Sequence, residues 1–280
     1  MAEAGRRLRL ATGIEVYYER AGAGAPALVF VHGGGGHCGH WQLQMPYFAR
    51  LTTVLTCDLR GHGRSEVPGG RYSIETFVDD LSSLLDRLDI ERPLVVGHSL
   101  GGTIALRYAF DFPDRVSGIV VVDSGYHSPV QRRDDWRQLV VARASDYQAA
   151  QAVMSRYHSS PHSGRAAFVA EVLAATPATP PQVINATHYG LLTFCSSAAA
   201  SFLTCPVLVV GAADMDYWPG VQAWGEYVPH GRLVAVPRCG HYLMLEQSER
   251  FNAALEQFLG DVRTGVAPSG GPPETPPGWV

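Results

Sequence analysis

The sequence predicts an α/β protein with a mostly parallel eight-stranded sheet, helices on both faces and an inserted helical lid. Three observations carry this expectation. Short continuous apolar runs, such as Ala27–Val31 (ALVFV) and Val116–Val122 (VSGIVVV), alternate with stretches of helical periodicity. A strand covered on both faces reads as such a run because neither side meets water. The inner runs end in turns rich in Gly, His, Asp or Ser, which puts polar side chains at the C-terminal ends of strands. From 124 to 204 the alternation stops and no comparable apolar run occurs, as expected of an insertion at one end of a sheet.

The elements follow in order. Arg7–Ala11 and Ile14–Arg20 read as two strands joined at Thr12-Gly13. Ala27–Val31 is the first buried strand and runs into His32-Gly33-Gly34-Gly35-Gly36. Successive glycines leave backbone N–H groups uncovered, able to point at a developing oxyanion. Trp41–Leu51 reads as a helix and Thr53–Cys57 as the next strand, ending at Asp58-Leu59-Arg60-Gly61-His62-Gly63-Arg64-Ser65. Asp58 is expected to accept backbone hydrogen bonds and tie that loop down. Ser73 is a candidate N-cap for a helix to about Asp89, with Phe77, Leu81, Leu84, Leu85 and Leu88 on one face.

Leu94–Val96 then leads through Gly97-His98-Ser99-Leu100-Gly101-Gly102 into the helical pattern Thr103–Phe110. Strand, tight turn and helix form the context in which a G-x-S-x-G serine becomes a nucleophile. Side chains two residues before and after such a serine would collide, so Gly97 and Gly101 are needed there. Val116–Val122 ends at Asp123, Cys205–Val210 at Gly211-Ala212-Ala213-Asp214, and Leu233–Val236 shortly before His241. A closing helix spans roughly Glu246–Leu259. Within the insertion, Asp135–Arg143, Tyr147–Tyr157 and Gly164–Ala175 read as helices, broken by Pro161 and the proline-rich segment 177–181. The expected organisation is a core of 1–123 and 205–263, a lid of 124–204 and a disordered Pro/Gly-rich tail of 264–280.

Composition removes several classes of function. Net charge is −4, which favours neither nucleic acid nor an anionic membrane. All 22 basic residues are Arg, so chemistry on a lysine, whether Schiff base or P-loop, is excluded. The 5 cysteines are scattered without a C-x-x-C, as in a reducing compartment. No run approaches membrane-spanning length. His37-Cys38-Gly39-His40 could suggest a metal, but no second ligand cluster accompanies it. A cytoplasmic enzyme without metal or cofactor is expected, acting on a small molecule as a monomer or homodimer.

The segments HGGGG at 32–36, DLRGHGRS at 58–65, GHSLGG at 97–102, GAAD at 211–214 and CGHYLMLEQSERF at 239–251 together resemble the α/β-hydrolase superfamily. The resemblance extends through nearly the whole chain apart from lid and tail. It implies a triad of Ser99, Asp214 and His241, in the chain order found in that fold. It also implies oxyanion donors at the backbone N–H groups of Gly34 and Leu100. Asp123, at the end of the preceding strand, is the alternative acid, and Asp216 is expected to cap a helix. His98, beside the nucleophile, points the wrong way to be its base. Trp136, Tyr147, Met154, Tyr157, Tyr189, Phe194 and Trp218, with His158 and Tyr217, are candidates to line the pocket.

A serine nucleophile implies acyl transfer through an acyl-enzyme. Relatives that open epoxides or displace halide use Asp at the elbow, so Ser99 argues against both. Hydrolysis of an ester, lactone or thioester is the expected reaction. The same scaffold also supports perhydrolase, lyase and meta-cleavage C–C hydrolase activities, the last usually with Asn where His98 stands. A non-catalytic ligand-binding relative belongs to a different class.

Overall fold

The computed structural model describes residues 5–124, 160, 162–194, 199–215, 218–228 and 231–266. Eight strands form one sheet: β1 (Arg6–Arg9), β2 (Glu15–Ala21), β3 (Leu28–Val31), β4 (Val54–Cys57), β5 (Leu94–His98), β6 (Gly118–Val122), β7 (Val207–Ala212) and β8 (Arg232–Val236). Their order is β1-β2-β4-β3-β5-β6-β7-β8. β2 runs antiparallel to β1 and β4, and all other neighbours are parallel. The expected eight-stranded α/β architecture is the one observed.

Five helices of nine or more residues are described: α1 (Ile74–Arg87), α2 (Leu100–Asp111), α3 (Ala166–Ala174), α4 (Pro181–Thr193) and α5 (Ser248–Thr264). Successive strand residues point to opposite faces. Val29, Val31, Val95, Ile119, Val121, Val207 and Val209 therefore join Phe77, Leu81, Leu84 and Leu85 of α1 and Ile104 of α2 in one core layer. Leu28, Phe30, Leu94, Val96, Val120, Val122, Leu208 and Val210 meet Phe251, Leu255 and Phe258 of α5 in the other. Each such side chain contributes about 1.5–3 kcal/mol when fully buried. Covering both faces is what makes the central strands continuously apolar.

Local signals set most boundaries. Ser73 caps α1, its hydroxyl accepting from the Thr76 N–H at 3.4 Å. α5 starts two residues later than expected and continues five residues further, closing on Gly265 at φ 70°. The expected helix at 41–51 is instead a 3-10 turn at Cys38–Trp41 and one α turn at Met45–Phe48. α3 fits the helix expected at 164–175. α4 was not expected at all, because the prolines before it read as breakers. Pro181 is its first residue, the one helical position where a missing N–H costs nothing. The helices expected at 135–143 and 147–157 lie outside the described residues, as does the tail beyond Val266.

β3 is flanked by β4 on one side and β5 on the other, so the direction of winding reverses between β3 and β5. The loops leaving their C-terminal ends diverge there and open a crevice. His32-Gly33 follows β3 and Ser99 follows β5, which sets the glycine loop beside the elbow.

The packing at the elbow gives a testable contrast. A Cβ on Gly101 would lie 2.2 Å from the Val31 carbonyl oxygen, an atom of the sheet backbone that cannot turn aside. Gly101→Ala should cost about 1–3 kcal/mol, lowering the thermal midpoint by several degrees at about 2–4 °C per kcal/mol. Gly260, within α5, has nothing within 4 Å of such a Cβ. Gly260→Ala should stabilise by up to about 1 kcal/mol. Scanning calorimetry of the two variants checks both signs.

Candidate active site

Ser99 sits at φ 52° and ψ −113°, between the last residue of β5 and the first of α2. A left-handed, non-glycine backbone of this kind costs about 1–3 kcal/mol and persists only when its surroundings enforce it. Here they do. The Ser99 N–H donates to the Val122 carbonyl at 3.0 Å, and the Ser124 hydroxyl donates to the Ser99 carbonyl at 2.8 Å. A Cβ on Gly97 would fall 2.0 Å from the Gly101 carbonyl oxygen, so only glycine closes this turn.

The glycine loop after β3 lies directly against Ser99. A Cβ on Gly33 would come within 3.2 Å of the Ser99 Cβ. His32 holds this loop. Its Nδ1–H donates to the Gly33 carbonyl at 2.7 Å, and its Nε2 accepts the Leu59 N–H at 2.9 Å. Both ring nitrogens are thereby committed in the neutral form. Burial, then the neighbouring His62, lower its pKa to about 3. Asp58 secures the next loop, accepting from the Cys38 N–H at 2.6 Å, the Arg64 N–H at 2.8 Å and the Arg64 Nε at 3.0 Å. Burial alone would raise the Asp58 pKa, but Arg64 and the other donors bring it down to about 2.

His241 stands in the loop after β8. The carboxylate that meets it is that of Asp123: its Oδ2 accepts from His241 Nδ1 at 2.6 Å. Because a carboxylate only accepts, Nδ1 carries a proton. Asp123 follows β6 at φ 45°, with its side chain fully buried. Its Oδ1 accepts the Ala212 N–H at 2.9 Å, and its own N–H donates to the Val210 carbonyl at 2.7 Å.

This corrects the expectation for Asp214. Its Oδ2 accepts the Arg238 N–H at 2.5 Å, which makes it a brace at the start of the His241 loop. The reason is register. β6 adjoins β5, with Val122 opposite His98, so the residue after Val122 lies beside Ser99. β7 is one strand further away. An Asp after a buried strand suits a left-handed backbone, which Asp tolerates better than most residues, but that signal does not tell Asp123 from Asp214.

The structure distributes the other candidates unevenly. Leu100 opens α2 directly after Ser99, and Gly34 follows Gly33. α4 lies over the glycine loops: Val183 faces Gly61, Ile184 faces Gly35 and Thr187 faces Gly34. Thr187 is fully buried, and its hydroxyl has no hydrogen-bond partner among the described residues. Sequence reasoning missed these three residues along with the helix. Tyr189, two residues on, is 64% exposed on the opposite side of α4. Phe194 packs against the core with the Arg107 guanidinium 5.8 Å from its ring centre. Trp218 packs over Gly211, 2.8 Å from where a Cβ would stand. Trp136, Tyr147, Met154, Tyr157, His158, Asp216 and Tyr217 lie outside the described residues. Among the described residues no group of three or more His, Cys, Asp or Glu could hold a metal ion. No described helix is long and apolar enough to cross a membrane.

The family model described as "Alpha/beta hydrolase family" matches residues 28–254. The chain belongs to that family. Of its relatives, RutD of Caulobacter vibrioides, which bears the name of a carbamate hydrolase, is 32% identical over 91% of this chain and 98% of its own. The 2-hydroxymuconate semialdehyde hydrolase of Pseudomonas sp. is 29% identical over 92% and 95%. An uncharacterised Mycobacterium tuberculosis protein is 37% identical over 119 residues, so this chain spans only 35% of its length. The solved structure of Est816, an N-acyl homoserine lactone degrading enzyme, matches with a TM-score of 0.79 at 28% identity, over 90% of this chain and 100% of that one.

The buried imidazoles of this alpha/beta hydrolase predict its acid sensitivity. His32 and His62 are held neutral in the fold, with pKa values of about 3 and about 4, chiefly by burial. The unfolded chain titrates both near 6.5 and so binds more protons in between. Stability is therefore complete above about pH 6.5 and is lost as pH falls toward 4 and 3. From pH 7 to 5 the two together should remove roughly 4 kcal/mol. Urea unfolding at the two pH values measures the loss. His62→Leu should reduce the loss by about half of that amount.

Proposed function

We propose that this alpha/beta hydrolase cleaves an ester, lactone or thioester of a small to medium apolar substrate, through an acyl-enzyme on Ser99. The observation that carries the reading is a serine on a strained strand–helix turn together with a half-buried His241 held by the buried Asp123 carboxylate from the adjacent strand end. In this reading His241 Nε2 takes the Ser99 proton as the hydroxyl attacks the acyl carbon. Asp123 holds the imidazole in the required tautomer and stabilises the imidazolium that forms. His241 then returns the proton to the leaving group, and water resolves the acyl-enzyme by the same route in reverse. The N–H groups of Leu100 and Gly34 receive the oxyanion, where donors set in advance are worth several kcal/mol. The His32 and Asp58 ties support this assignment by keeping the glycine loop and its neighbour in place before substrate arrives. The segment 124–204 acts as a cap that selects the substrate, and the Ile184 and Thr187 contacts with the glycine loop support that role.

The similarity to 2-hydroxymuconate semialdehyde hydrolase raises C–C bond hydrolysis on the same residues as the second reading. Its substrates and activated esters are therefore the two arms of one assay.

A fluorophosphonate probe should label wild type at Ser99 and leave Ser99→Ala unlabelled. With p-nitrophenyl butyrate, Asp123→Asn should lower kcat by about four orders of magnitude, since it loses the correct tautomer. Asp214→Asn should stay within about tenfold of wild type, because an amide oxygen still accepts the Arg238 N–H at the cost of one charge-assisted bond. The reverse ranking would return the acid to Asp214.

A further inference from the structure

His98 precedes the nucleophile and points away from it into the interior. Its ring is buried, 4.5 Å centre to centre from His241 and 5.2 Å from Tyr242. Its Nε2 lies 2.8 Å from the main-chain carbonyl oxygen of His241. A carbonyl can only accept, so Nε2 carries the proton. Nδ1 has no hydrogen-bond partner and faces the glycine loop, 2.9 Å from where a Cβ on Gly33 would stand. The ring thus fills the space between the glycine loop and the base loop.

We infer that His98 is a positioning residue for the base: its Nε2–H fixes the His241 backbone to the residue that adjoins Ser99. This rests on the proposed roles of Ser99 and His241. The base loop has two other anchors near its imidazole. Glu246 Oε1 accepts the Gly240 N–H at 2.9 Å, and Asp123 holds His241 Nδ1. Those anchors connect His241 to the short helix after it and to β6. The His98 bond connects it directly to the strand that leads into Ser99, with no intervening residue. A displacement of about 1 Å between nucleophile and base can cost a hundredfold in rate, so this connection bears on turnover more than on binding.

The choice of imidazole has a physical reason. A cationic donor at this site would repel the imidazolium that forms on His241 during turnover. Burial, then the neighbouring His241, His40 and His32, keep the His98 ring neutral, its pKa well below the usual value. It donates one hydrogen bond and adds no charge. A glutamine places an amide N–H at a similar reach, whereas leucine has the bulk but no donor.

The test uses the full chain and two variants. His98→Leu should lower kcat for p-nitrophenyl butyrate by about 10- to 100-fold with KM within about threefold. His98→Gln should recover most of that loss. A second readout needs no turnover: the low-field proton signal of His241 Nδ1–H, identified by its absence from His241→Asn. It should broaden or vanish in His98→Leu and persist in His98→Gln. Wild-type kcat with an undiminished signal in His98→Leu would overturn the inference. So would a His98→Gln protein as impaired as His98→Leu at equal thermal stability. A wild-type protein that turned over no ester would overturn the proposed reaction instead, and the proton signal would still decide the role of His98.

Discussion

A fully buried carboxylate must be satisfied on every side, and the ends of three strands are arranged around the one on Asp123. Taking such a charge out of water costs several kcal/mol unless charged or dipolar partners replace the lost hydration. Here the replacement comes from the β7 backbone through Ala212 and from the His241 imidazole beyond β8, while the Asp123 N–H ties back to Val210. Remove the carboxylate and the β6, β7 and β8 loops lose their common point. The same bonds that make the charge tolerable also select the His241 tautomer. The stability of these loops and the orientation of His241 therefore depend on one group.

On the other side of the nucleophile the ties are made by neutral imidazole. His32 bridges the glycine loop and Leu59, and His98 bridges the elbow and the base loop. Each ring carries one donor and one acceptor and adds no charge while neutral. A lysine or arginine there would be costly to bury and would disturb the proton affinity of His241. Histidine gives the geometry without the field. The consequence is sensitivity to acid, since protonation turns the Nε2 of His32 from the acceptor of Leu59 into a second donor facing it.

Rigid backbone, more than side-chain bulk, brings these groups together. Gly97, Gly101 and Gly33 each stand where an added methyl would strike main-chain atoms or the side chains of His98 and Ser99. β3, β5 and α2 can therefore approach closely enough for a strained serine to be held by its neighbours. α4 then covers the glycine loops with Val183, Ile184 and Thr187. That leaves the Thr187 hydroxyl as a buried polar group beside Gly34.

The sequence alone determined the fold, the turn that carries Ser99 and the loops around it. Those signals are local: an apolar run covered on both faces, a glycine forced by collision within five residues, a serine capping a helix. Ser99, His241, Ser73 and the bonding of Asp58 were all legible because the cause and the residue lie close together in the chain. The carboxylate that meets His241 was not legible in this way. Asp123 and Asp214 both follow buried strands and both suit a turn. Which one reaches His241 depends on strand register and on a left-handed backbone, set by partners 89 and 118 residues away. α4 was hidden for a related reason, since a proline pair reads equally as a break or as a first turn. Only packing over the glycine loops decides between them. The link between His98 and His241 spans 143 residues and ends on a main-chain carbonyl. Every residue has that atom, so no residue type could announce it, and tertiary structure alone decided it.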